Sequence, residues 1–146
     1  MSGKTHLCVM LAGLPTSQYH ETCGTNCLKT DVNGVPWHIW DTPAYQEHSW
    51  PAESVVKDAD IVVVCCDGTR GVSPFDCVQA LGPDRCVIAL TRTCYAGANL
   101  SYVHEYLKTT TQDGSLVPIV PVYANVCRLV HTISRHRLTM ARVVDV

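Results

Sequence analysis

The sequence has little charge, no excess of one sign and no long hydrophobic run. Lys and Arg number 11 against 13 Asp and Glu, a net charge of −2, so no global field would recruit nucleic acid. No apolar stretch approaches the roughly 18 residues of a membrane span. The opening residues lack the basic, apolar and small-residue succession of a signal peptide, and "ARVVDV" carries no Cys four from its end for prenylation. The expectation is an intracellular protein, cytoplasmic or nuclear, without a membrane anchor. Linkers, repeats and low-complexity segments are also lacking. The 146 residues therefore read as one domain, 1–146, long enough to bury a real core.

Cysteine is abundant, with nine residues. Cys8, Cys65, Cys66 and Cys86 sit inside apolar runs, where a reduced thiol acts as a small hydrophobe, and the odd count does not suit a disulfide framework. A reducing compartment follows. His20, Cys23 and Cys27 form the tightest cluster, but no second half with metal-ligand spacing follows it, so no metal is expected.

Along the chain, strand-like and helix-like segments alternate. "THLCVMLAG" (5–13) is apolar nearly throughout and offers no charged solvent face, which predicts a buried parallel strand ending at Gly13. A short helix should follow from Pro15 to about Cys23. "CLKTDVNGVPWHIWD" reads as two strands around an Asn33-Gly34 hairpin turn. Ser49 to about Lys57 suggests a short helix, and "DADIVVVCCD" (58–67) a second buried strand. "VSPFDCVQALG" (72–82) has Ser73 to cap a helix, Pro74 for its first position and Gly82 to end it. "RCVIALT" (85–91) is a third buried strand, and Asn99 caps a helix carrying Leu100, Val103 and Leu107. "TTTQDGS" (109–115) is a surface loop. "LVPIVPVY" (116–123) contains two prolines and so belongs at a sheet edge. A last helix capped by Asn125 is expected to run through Val126, Leu129, Val130, Ile133, Met140, Ala141 and Val144. The fold class is α/β with a mostly parallel sheet and one antiparallel hairpin strand.

With "IWDTPAYQE" after the hairpin, this order of elements resembles the Ras-like small GTPases over essentially the whole chain. The resemblance implies a three-layer P-loop-GTPase-like fold with a six-stranded sheet, and GTP or GDP with magnesium as ligands. It also implies a set of motifs with clear physical tasks. A glycine-rich loop with a lysine holds phosphates, a hydroxyl and an aspartate hold magnesium, and a carboxylate reads guanine.

Each motif departs from the family's pattern. After Gly13 comes "LPTSQYHE", with neither the second glycine nor the lysine; Thr16 and Ser17 supply hydroxyls only. "SGKT" (2–5) looks like the end of a phosphate loop, and Lys4 lies at nearly the family's spacing from Asp41. Residues 6–14 would then be the first helix, but the central strand that precedes the loop would be missing, which full pairing of buried backbone argues against. After Asp41-Thr42, Ala44 replaces the glycine of the family's DxxG loop and Tyr45 takes the place of the catalytic glutamine, which Gln46 fills only with one extra loop residue. Asp41 is either a magnesium ligand or a strand-end turn residue. "TRTC" (91–94) puts Arg92 at the lysine of the guanine loop and Cys94 at its aspartate. "YAN" (123–125) stands for the family's SAK.

The expectation from these departures is a GTPase-fold protein with vestigial nucleotide contacts at Gly13, Thr16, Ser17, Asp41, Thr42 and Ala44, without a cofactor, acting as a nucleotide-independent interaction or scaffold module. The alternative is a divergent GTP-binding switch with Asp41 on magnesium and Gln46 on the water. Tyr45 and Trp50 in the 43–53 loop suit an interface with a protein partner, although Trp50 suits the core equally. On the last helix Arg128, Arg135, Arg137 and Arg142 form either a docking stripe or a solvated face, and Arg135 and Arg137 are the candidates for partner contact. No nucleic-acid partner is expected. A nucleophile elbow is missing, and Cys65-Cys66 lie within a strand. Asp41, Asp67 and Thr91 share the strand-end edge, but the acidic pair that a phosphoryl-accepting domain needs there is not in "GLPTS".

Overall fold

The computed structural model describes residues 4–13, 26–44, 53–69, 74–92, 117–122, 126–135 and 140–145. Among them, helices α1 (Lys4–Leu11), α2 (Glu53–Lys57), α3 (Phe75–Leu81) and α4 (Cys127–Ser134) accompany strands β1 (Asn26–Val32), β2 (Val35–Ala44), β3 (Ile61–Asp67), β4 (Cys86–Thr91), β5 (Ile119–Pro121) and β6 (Met140–Asp145). The strands form a mixed sheet in the order β1-β2-β6-β3-β4-β5. Only β1 and β2 pair antiparallel; every other neighbouring pair is parallel.

The hairpin forms as its turn residues dictate. Asn33 and Gly34 both have positive φ, 52° and 81°. This is the pairing of left-handed residues that matches the twist of two antiparallel strands. The Gly34 amide donates to Asp31 Oδ1 at 2.8 Å and closes the turn. β3 is buried at every position, as a strand covered on both faces must be. β5, which contains Pro121 and follows Pro118, pairs among the described residues with β4 alone and lies at the edge.

Side chains alternate across the sheet into two cores. Trp37, Ile39, Ile61, Val63, Cys65, Val87 and Ala89 face α1 and α4, whose Leu7, Cys8, Leu11, Leu129 and Ile133 cover them. Val62, Val64, Cys66, Ile88 and Leu90 face Val56 of α2 and Cys77 and Val78 of α3. The result is a helix–sheet–helix sandwich.

Two expectations about the ends of this fold are overturned. Residues 4–11 form a helix, not a strand. Lys4, Leu7, Cys8 and Leu11 make a buried stripe at helical spacing, His6 is exposed, and Val9 and Met10 are half-buried. A short helix needs no charged outer face when its neighbours cover half of it. Gly13 (φ 70°) lies just beyond the helix C-terminus, its amide bonded to Met10 O at 3.1 Å. It ends α1, and residues 14–25 after it lie outside the described residues.

The second correction is at residues 140–145. The expected last helix stops at Ser134, and β6 runs parallel between β2 and β3, with Asp41 and Val63 both opposite Val143. "MARVVD" contains adjacent β-branched residues, which suit a strand with a partner on each side better than a helix. The central strand that seemed absent is therefore supplied from after α4. The helix 72–82 is also trimmed: it starts at Phe75, with Pro74 as a cap lacking a side-chain bond, and Gly82 (φ 95°) follows its end. The expected elements at 15–23 and 99–107, the loop 109–115, and Ser73 lie outside the described residues.

Candidate functional site

The parallel strands deliver Asp41, Asp67 and Thr91 toward one edge, the carboxyl ends, where open α/β sheets bind ligands. By alternation all three belong to the face covered by α1 and α4. The first turn of α1 reaches the same edge. Lys4 Nζ lies 3.5 Å from Asp41 Oδ1, with the two side chains only 7% and 3% exposed. Cys8, one turn further along α1, also meets Asp41. Burial pushes its thiol well above the usual range, with the Asp41 charge and a hydrogen bond to it acting in the same direction.

This arrangement is costly for a structural contact. Lysine is almost never fully buried, and a cation at a helix N-terminus opposes the helix dipole. A buried ion pair contributes little to stability over an apolar pair of similar size. The same features suit an anion: a helix start with outward amides, an ammonium, and an oxygen ligand beside it for a divalent cation.

Asp67 is occupied differently. The amide and hydroxyl of Thr69 donate to its Oδ1 at 2.8 and 2.6 Å, and Arg92 donates to Oδ2 at 2.9 Å. Arg92 sits at φ 55°, an unusual value for a non-glycine residue, and spans from the end of β4 to that of β3. Gly68 N bonds Thr91 O at 2.8 Å across the same gap. This corner is a latch between two strand ends.

The expected contact residues are scattered. Gly13 is nine residues from Lys4, about 13 Å away at the helical rise. Asp41 is in the cluster, Thr42 is fully buried beside it on the opposite face of β2, and the backbone of Ala44 pairs with Asp145. Arg135 is exposed at the C-terminal end of α4. Thr16, Ser17, Tyr45, Gln46, Trp50, Cys94 and Arg137 lie outside the described residues. Cys27 is free and exposed on β1, and no group of three potential metal ligands occurs among the described residues.

Lys4 and Cys8 are the residues that strand-first reasoning missed. Their signal in the sequence is "SGKT", with Lys4 at nearly the family's spacing from Asp41, although no strand precedes it in the chain. No helix among the described residues is long and apolar enough to cross a membrane. No protein-family model matches the chain, and no curated protein matches it.

Proposed function

We propose that this chain is a nucleotide-binding protein of P-loop-GTPase-like fold, whose triphosphate site gathers around the first turn of α1, Lys4 and Asp41. The observation that carries the reading is the buried Lys4–Asp41 pair at the start of a helix. A phosphate-binding lysine and a magnesium-binding aspartate belong at those two places. The layering supports it, with α1 and α4 on one face and α2 and α3 on the other, beside an antiparallel hairpin. So does β6, which lies where the resemblance requires a central strand.

The case for an interaction module without nucleotide rested on several departures together: no lysine after Gly13, Ala44 in the DxxG loop and Cys94 in the guanine loop. With residues 4–11 helical, the first of these no longer weighs against nucleotide, while the other two remain. Guanine preference is another matter. Arg92 is tied to Asp67, and Cys94 stands where a base-reading carboxylate would, so ATP and GTP should bind comparably. Gln46 is the candidate to orient water if the nucleotide is hydrolysed.

Titration with fluorescent GTP and ATP analogues in magnesium tests this reading. Saturable micromolar binding of both is expected, with a loss of at least a hundredfold in Lys4→Met and a melting shift that follows mass action. No binding of either nucleotide by folded protein returns the chain to the interaction-module reading, with Arg135 and Arg137 as the surface to mutate.

A further inference from the structure

We propose that Cys127 and His131, through the surface cavity that both line, form a two-residue binding site for zinc on α4. The cavity has a volume of about 300 Å³ and lies where α4 passes the hairpin turn; Asn33, Val126, Val130 and Ser134 complete its lining. Residues four apart on a helix hold their Cβ atoms about 5–6 Å apart on one side. Zinc bonds thiolate sulfur at about 2.3 Å and imidazole nitrogen at about 2.0–2.1 Å, so one ion spans the pair without distorting the helix. The same spacing serves paired zinc ligands on helices elsewhere. Both side chains are exposed, and Cys127 is in no disulfide. Cys127 already has an interaction in the structure, but the weak hydrogen bonding of a thiol gives way to a metal–sulfur bond. On binding, the S–H bond breaks, its proton leaves to solvent, and the imidazole contributes a nitrogen lone pair. The thiolate so formed lies at the first position of α4, where negative charge is favoured and where Val126 supplies no side-chain cap. No third His, Cys, Asp or Glu joins the pair among the described residues. Water therefore fills the remaining positions, with Asn33 and Ser134 placed to hydrogen-bond it, and the ion exchanges readily. The site shares no residue with the Lys4–Asp41 pair and does not rest on the nucleotide reading.

Cobalt(II) is the probe, because a thiolate ligand gives it an intense charge-transfer band in the near ultraviolet. Titration of the reduced, metal-free chain should show that band saturating at one ion per chain, with micromolar affinity. Cys127→Ser should abolish the band, and His131→Gln should weaken binding by about tenfold or more. Both residues are exposed, so each variant should keep the wild-type circular dichroism spectrum. Cys27→Ser, which removes the other exposed thiol among the described residues, should leave the titration unchanged. Zinc should displace the cobalt and slow alkylation of Cys127 by about tenfold or more in the wild type, but less than about twofold in His131→Gln. A band that persists in Cys127→Ser overturns the site. So does a His131→Gln variant that binds as tightly as the wild type, a titration abolished by Cys27→Ser, or the lack of saturable binding. None of these outcomes alters the nucleotide reading.

Discussion

At the scale of single residues, Arg85 is a well-connected side chain outside the candidate site. Its guanidinium donates to Leu81 O at 2.7 Å and to Val56, Lys57 and Ala59 O at 2.9, 3.1 and 3.1 Å. One cation thus satisfies carbonyls at the C-terminal ends of α2 and α3, where helices leave them without partners and where positive charge is favoured. Arg85→Ala should lower unfolding free energy by about 2–3 kcal/mol in urea titration, since several part-buried carbonyls lose their donor at once. The thiols offer a second test. Cys27 and Cys127 are exposed, whereas Cys8, Cys65, Cys66, Cys77 and Cys86 are buried. Native alkylation followed by peptide mapping should modify the first two and spare the other five until the chain is unfolded. Burial also pushes the Cys86 thiol up to about 12, only partly offset by Arg85. A thiol that ionises later in the folded than in the unfolded chain holds its proton longer in the native state. Its contribution is intact below the ordinary thiol range and is lost as pH rises from about 9 toward 12. The slope attributable to it is about 1.4 kcal/mol per pH unit, and Cys86→Ala should remove that part of the alkaline decline.

Individual elements differ in how far local chemistry decides them. The hairpin was legible because Asn33-Gly34 specifies its own backbone, and Gly34 at φ 81° has open space around it, so only the backbone angle opposes a side chain there. Gly34→Val should cost about 1–2 kcal/mol, visible as a lower denaturation midpoint with unchanged slope. The edge position of β5 followed from proline's missing amide, and the buried strands β3 and β4 from uninterrupted apolar runs. α1 and β6 were not legible. Both are short apolar segments whose type depends on which tertiary position is vacant, and periodicity cannot separate a half-buried helix from a covered strand at such lengths. The error was shared: taking 5–13 as the central strand left 140–145 with nothing to do except extend α4. The candidate site followed the strand reading, which drew attention to Gly13 and away from the buried Lys4–Asp41 pair.

For the whole molecule, the sheet depends on a strand that joins its two halves. β6 is the element that pairs with both β2 and β3, so the hairpin and the β3-β4-β5 group meet through it. Removing residues 140–146 should convert a single cooperative melt into a broad one with dye-binding apolar surface exposed, measured by calorimetry and fluorescence. A Val143→Pro substitution, which deletes a ladder donor in mid-strand, should act in the same direction by more than about 3 kcal/mol. The overall class, α/β with a mixed sheet, could be read from the alternation of segments. Their order in space could not, because chain order places last the strand that geometry places near the middle.

That mismatch constrains how the protein is made. A ribosome releases the hairpin and the β3–β5 segments well before residues 140–145 emerge, so during synthesis two open strand edges wait for a partner still inside the exit tunnel. Productive folding of the sheet must therefore wait for residues 140–145 and is paced by a long-range encounter, and the nascent chain is exposed to edge-to-edge self-association until that encounter occurs.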